Sequence, residues 1–167
     1  MESGRRAVDA HFPSLAAAGY TITSNSSDCY NCVAWVLRDS RHWWEPALQG
    51  GFWPRPVDAS ELEDGDLDEY VRQFAAVGFQ ECRDGALEAV TEKIAIYADG
   101  EDFAHVAYQR PDGAWSSKLG KLNDVRHKSA TAVSGPSALE YPGIALYMAR
   151  PRQPHELADS PTGLLLP

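Results

Sequence analysis

Apolar positions along the chain follow a helical period at the start and a strand-like pattern toward the end. Val8, Phe12 and Leu15 fall at i, i+4 and i+7, one face of a helix over residues 5–18 that Pro13 interrupts. Gly19 to Thr23 reads as a brief extended segment. The polar run Thr23-Ser24-Asn25-Ser26-Ser27-Asp28 then stops, and an apolar helix is predicted from residue 31 to about 39, with Asp28 or Asn31 as its N-cap. Residues 40–60 hold Trp43, Trp44 and Trp53 among prolines and the Gly50-Gly51 pair, which predicts a packed loop. After Asp64-Gly65-Asp66, the positions Leu67, Tyr70, Val71, Phe74 and Val77 form an amphipathic helix that Gly78 ends.

The second half switches to strands. Phe79–Cys82, Lys93–Ala98, Phe103–Arg110, Ala114–Leu119 and Ile144–Ala149 read as strands, with a hairpin turn at Pro111-Asp112-Gly113. Residues 120–136 are polar and read as mostly irregular. Helices followed by three or four strands joined by tight turns predict an α+β fold, N-terminal helices packed on a mainly antiparallel sheet. Residues 1–150 make a single domain in this reading, and the proline-bearing residues 151–167 a C-terminal tail.

Candidate chemistry centres on Cys32. If Asn31 caps the helix, Cys32 is its first residue, and the dipole and free N–H groups there favour thiolate, the nucleophilic form. His105 lies inside a strand, between Ala104 and Val106, where a polar side chain needs a reason. A thiol at a helix start facing a strand histidine is the arrangement of a cysteine hydrolase, with helix-start N–H groups available for the oxyanion. A third group orienting the imidazole is offered by Ser116, Ser117, Asp124 and His127. Asp124 is the natural choice chemically and Ser117 the nearer one along the hairpin. Asn31 and the tryptophans Trp43, Trp44 and Trp53 are candidate substrate-binding residues, the indoles as an aromatic wall. Cys29 and Cys32 also form a C-x-x-C, but no hydrophobic strand precedes it as in thioredoxin-like proteins. Zinc lacks a second paired ligand spacing, so neither a metal nor another cofactor is expected.

Composition narrows the partners. Across 167 residues the formal charge is −9, which argues against nucleic acid and anionic membranes as partners. No stretch approaches the roughly 20 apolar residues of a membrane span. Three cysteines are too few for a disulfide-built secreted scaffold and point to a cytoplasmic location.

Several strings taken together carry a resemblance: Tyr30-Asn31-Cys32-Val33-Ala34-Trp35, Trp43-Trp44 with Pro46, Phe52-Trp53-Pro54, Glu92-Lys93-Ile94-Ala95-Ile96-Tyr97, His105 with Gln109, Trp115-Ser116-Ser117-Lys118-Leu119-Gly120, and Asp124-Val125 with His127. Over roughly residues 20–150 the chain resembles a group of small bacterial domains of unknown function with a Tyr-Asn-Cys start and a Ser-Lys-Leu-Gly segment. The order of features also resembles the papain-like cysteine hydrolase superfamily, including its small cell-wall peptidase branches. That resemblance implies a papain-like fold, Cys32 as nucleophile, His105 as base and Ser117 or Asp124 as orienter, acting on a peptide or acyl-conjugate substrate. One departure stands out: no Gln lies upstream of Cys32 to complete an oxyanion hole, so Asn25 or Asn31 would have to serve. The alternative function is a non-catalytic interaction domain that binds a partner through the tryptophan loop.

Overall fold

A computed structural model describes residues 2–46, 48, 50–54 and 65–153. Two short helices open it, α1 (Glu2–His11) and α2 (Pro13–Ala18). The break falls where the sequence places it, because Pro13 lacks an N–H and its fixed φ suits the first position of a new helix. After β1 (Tyr20–Ile22) comes α3 (Cys32–Val36), and after the tryptophan loop α4 (Leu67–Ala76). The cap of α4 is Asp66, whose carboxylate accepts from the N–H groups of Asp68 and Glu69. Gly78 follows the helix at φ +99°, a conformation that an L side chain resists.

The remaining strands are β2 (Gln80–Cys82), β3 (Thr91–Asp99), β4 (Asp102–Gln109), β5 (Trp115–Lys118), β6 (Asp124–His127) and β7 (Ile144–Pro151), with a 3₁₀ turn at Ala130–Val133. They form one seven-stranded sheet in the order β1-β6-β5-β4-β3-β7-β2, antiparallel at every pairing. The fold is therefore α+β with an antiparallel sheet.

Three expectations are corrected. Among the described residues the sheet has seven strands, two more than the five segments read as strands and more than the three or four expected to follow the helices. Within the supposedly irregular residues 120–136 lies β6, whose polar Asp124 and Arg126 hide its period but whose backbone pairs with both β1 and β5. The anchor helix ends at Val36 rather than near 39, because Arg38 takes a left-handed φ of +64°. Residues 47, 49 and 55–60 of the predicted loop, Asp64 ahead of the second amphipathic helix, and the tail from residue 154 lie outside the described residues.

Helices cover both faces of the sheet. Along β3, Ile94 and Ile96 pack toward α3 and α4, with Val33, Val36 and Phe74. Ala95 and Tyr97 pack toward α1 and α2, with Val8 and Leu15. A strand covered on both sides needs apolar residues at every position, which explains the unbroken run Ile94–Tyr97. At the far end of α3, the carboxylate of buried Glu92 accepts from Arg38 and from Arg150, and fixes the helix against β3 and β7.

Candidate functional site

Asn31 is the N-cap of α3: its Oδ1 accepts from the Ala34 N–H at 3.1 Å. The same side chain grips the tryptophan loop, Oδ1 accepting from the Trp44 N–H at 3.3 Å and Nδ2 donating to the Trp44 carbonyl at 2.7 Å. Cys32 is thereby held as the first residue of the helix. The N–H groups of Val106, Val33 and Cys32 itself face its sulfur.

The Val106 contact follows from the sheet. Backbone pairing between β4 and β5 runs from Gln109↔Trp115 to Tyr108↔Ser116 and stops there. Two residues on, the N–H of Val106 faces the Cys32 sulfur instead, so the thiol caps a fork between the strands. The site is nearly dry, with Cys32 8% exposed. Burial outweighs the amides and the nearby Lys118 ammonium, and pushes the thiol up to about 11. The expectation of a thiolate at rest is thus overturned: a helix start supplies tenths of a kcal/mol to about 2, whereas burial shifts a pKa by several units.

Strand alternation sorts the polar residues around the fork. Ser116, Lys118 and Asp124 point to the α3 face. Ser116 Oγ accepts from Trp35 Nε1 at 3.1 Å, and Tyr30 donates to Asp124 Oδ2 at 2.8 Å. Lys118 Nζ donates to the carbonyls of Ser27, Gly120 and Leu122 and lies 5.1 Å from the Tyr30 ring centroid. Burial lowers its pKa and raises that of Asp124, while each opposes the other's shift by its charge. Asp124 therefore anchors Tyr30 and is not the orienter of His105, a correction that follows from its face of the sheet.

On the opposite face His105, Ser117 and His127 form a chain. Ser117 Oγ lies 3.0 Å from His105 Nε2 and 2.9 Å from His127 Nε2, and His127 Nδ1 lies 2.8 Å from the Ser129 carbonyl. A carbonyl only accepts, so His127 Nδ1 carries a proton. Burial lowers the His127 pKa to about 4 and holds the ring neutral, which leaves Nε2 bare. Ser117 must donate to that nitrogen, and its oxygen then accepts from His105 Nε2–H. His105 Nδ1 is left as a lone pair, buried and without a hydrogen-bond partner. Burial, with His127 adding to it, depresses the His105 pKa well below its usual value. No hydrogen bond joins Cys32 to His105. The structure brings the sulfur to the backbone of the next residue, Val106, with the imidazole rooted on the other side of the fork.

A cleft of about 390 Å³ opens beside the thiol, lined by Asn31, Cys32, Trp43, Tyr70, Phe103 and Tyr141 among others. Of the predicted substrate-binding residues, Asn31 and Trp43 line it. Trp44 and Trp53 do not: they pack on the core, with their indole N–H groups held by Asp39 and Glu69. Tyr70, Phe103 and Tyr141 take the wall positions instead. The sequence reading missed Tyr141, whose ring stacks on His105 at 3.9 Å and 1°. Nothing in its neighbourhood, Glu140-Tyr141-Pro142, signals that role. His127 was one of four candidate orienters; its actual part, setting the proton order from one residue further out, depends on the pairing of β5 with β6.

The profile of a family described as a domain of unknown function (DUF7689) matches residues 21–149, most of the chain. The chain belongs to this family. No curated protein and no solved structure matches it. The matched span of the DUF7689 domain runs from β1 through most of β7 and contains Cys32, His105, Ser117, His127 and Tyr141; α1 and α2 precede it. Among its described residues no group of His, Cys, Asp or Glu is arranged to hold a metal ion, and no helix is long and apolar enough to cross a membrane. Its three cysteines are free.

Proposed function

We propose that this domain is a papain-like cysteine hydrolase or acyltransferase, cleaving an amide, isopeptide or thioester bond with Cys32 as nucleophile and His105 as base. One observation carries the proposal: the proton order of the Ser129–His127–Ser117–His105 chain, which leaves a bare Nδ1 on the residue adjacent to the one that meets the Cys32 sulfur. A thiol hydrolase needs a base with one nitrogen free for the sulfur and the other held by an orienter. Ser117 is that orienter.

In the proposed reaction the thiol proton passes to His105 Nδ1 as sulfur attacks the acyl carbon. The carbonyl electron pair moves onto oxygen, where the Cys32 N–H receives it. Collapse expels the leaving amine or thiolate, which takes the proton from the imidazolium. Water then attacks the thioester, or another nucleophile accepts the acyl group. Because both partners rest neutral, proton transfer accompanies the attack rather than preceding it. The substrate class is a peptide or acyl conjugate lying along the aromatic cleft. A cytoplasmic setting belongs to the same proposal, consistent with three free thiols.

The neutral, buried thiol favours a second reading, a non-catalytic cleft that binds a partner through Trp43, Tyr70 and Phe103. An activated acyl ester separates the two. With p-nitrophenyl acetate, the hydrolase reading expects nitrophenolate release and an acetyl group on Cys32 by mass spectrometry. In Cys32→Ala the acetyl group at position 32 is absent and release falls to the background rate, and the Cys32-dependent rate is at least about tenfold lower in His105→Gln. Acetylation confined to Cys29 and Cys82 overturns it in favour of binding.

A further inference from the structure

We propose that the Tyr141 hydroxyl is the second oxyanion donor of this site, opposite the backbone N–H of Cys32. The inference rests on the hydrolase reading above and names a catalytic residue for it. An acyl-transfer site needs two preorganised donors aimed at the developing oxyanion. The helix start supplies one, the Cys32 N–H. The amide expected to supply the other, Asn31, is largely engaged with the tryptophan loop and the helix cap: its oxygen accepts from Ala34 and Trp44, and one of its two N–H donors goes to the Trp44 carbonyl. Asn25 is exposed and does not line the cleft. Tyr141 lines the cleft together with Cys32.

Its position is set by packing rather than by a polar partner. The ring lies flat on His105, 3.9 Å between centroids, with Phe12 at 5.3 Å on a tilted approach. Its backbone is tied to the 3₁₀ turn, the Tyr141 N–H donating to the Val133 carbonyl. The phenol makes no hydrogen bond to any described residue, which leaves its O–H free to donate into the cleft. Burial raises its pKa, so the phenol keeps the proton it would donate. The same stack that fixes the base thus carries the donor.

Acylation and alkylation of one sulfur separate this role from any other. Attack on p-nitrophenyl acetate places negative charge on the carbonyl oxygen, and that charge is what the phenol stabilises. Attack on iodoacetamide displaces iodide from a methylene carbon and forms no oxyanion. Tyr141→Phe keeps the ring and its stack on His105 while removing the hydroxyl. The rate measured is nitrophenolate release, with the Cys32→Ala rate subtracted, beside carbamidomethylation of Cys32 by mass spectrometry. The expected result is a loss of about 100-fold in acylation, with alkylation within about twofold of the parent. Acylation unchanged in Tyr141→Phe overturns the inference. So does an equal loss in both reactions, which would mean that Tyr141 acts on the sulfur or on the fold. Absence of Cys32-dependent acylation in the parent protein instead removes the hydrolase reading beneath it, a distinguishable failure.

Discussion

Acid should destabilise this protein through His127, and the size of the effect follows from its burial. In the fold the ring is 2% exposed, its Nδ1–H is held by the Ser129 carbonyl, and its pKa is lowered to about 4. In the unfolded chain the pKa returns to about 6.5. Between those values the unfolded state binds a proton that the folded state refuses, so stability falls as pH falls. The contribution is fully present above about pH 6.5 and fully lost below about pH 4. A gap of about 2.5 units corresponds to ~3 kcal/mol, a large share of the ~5–15 kcal/mol that keeps a typical domain folded. His105, depressed as well, adds loss of the same sign. Asp124 works in the other direction, because its raised pKa means that the fold takes up a proton before the unfolded chain does. Subtracting a variant isolates the His127 part. Urea unfolding of the parent and of His127→Gln at pH 7 and pH 4 should show the parent losing ~3 kcal/mol more than the variant. At slopes of about 1–3 kcal/mol per molar urea, the parent midpoint moves by roughly 1–3 M more. An equal pH dependence in both proteins refutes the reasoning, as does an NMR titration of the His127 ring with a midpoint near 6.5.

Three further outcomes follow. With iodoacetamide at pH 7, exposed Cys29 should be modified well before Cys32, whose rate should climb only as pH approaches its raised value of about 11; peptide mass spectrometry reads both, and fast Cys32 labelling below pH 8 would contradict the burial account. Ser117→Ala leaves two buried ring nitrogens without their shared partner, and should cost about 2–4 kcal/mol in thermal or urea unfolding; a loss under 1 kcal/mol would mean that the chain carries no strain when broken. Asn31→Ala removes both the α3 cap and the clamp on Trp44, with an expected cost of about 1–3 kcal/mol, and Asn31→Asp should recover the cap by accepting from Ala34 while still losing the bond to the Trp44 carbonyl.

Much of the fold was legible along the chain because local rules apply there. Asn31 before Cys32, Asp66 before Leu67, Pro13 and Gly78 each act on their own few residues, through caps and φ preferences that tertiary contacts leave in place. The long strands β3 and β4 were equally readable, β3 from its unbroken apolar run Ile94–Tyr97 and β4 from a mostly apolar stretch closed by the turn Pro111-Asp112-Gly113. The short strands β1 and β6 were not read as sheet members, because their pairing comes from backbone groups that carry no side-chain signature.

The candidate site divides along the same line. The chain itself determined that a helix begins close to Cys32, with Asp28 or Asn31 as its cap, that His105 sits within a strand and that Ser117 follows on the hairpin; the structure settled the cap as Asn31. Only the tertiary structure decided which polar residues share a face of the sheet, and that choice separated Asp124 from His105 and joined Ser117 to His127. It also decided the charge of the thiol, since desolvation depends on everything packed around the sulfur and not on the residues beside it. Tyr141 reaches the cleft from 109 positions beyond Cys32 through the packing of the 3₁₀ turn and Phe12. Contacts of that range are set by how layers close on one another, which no local pattern encodes.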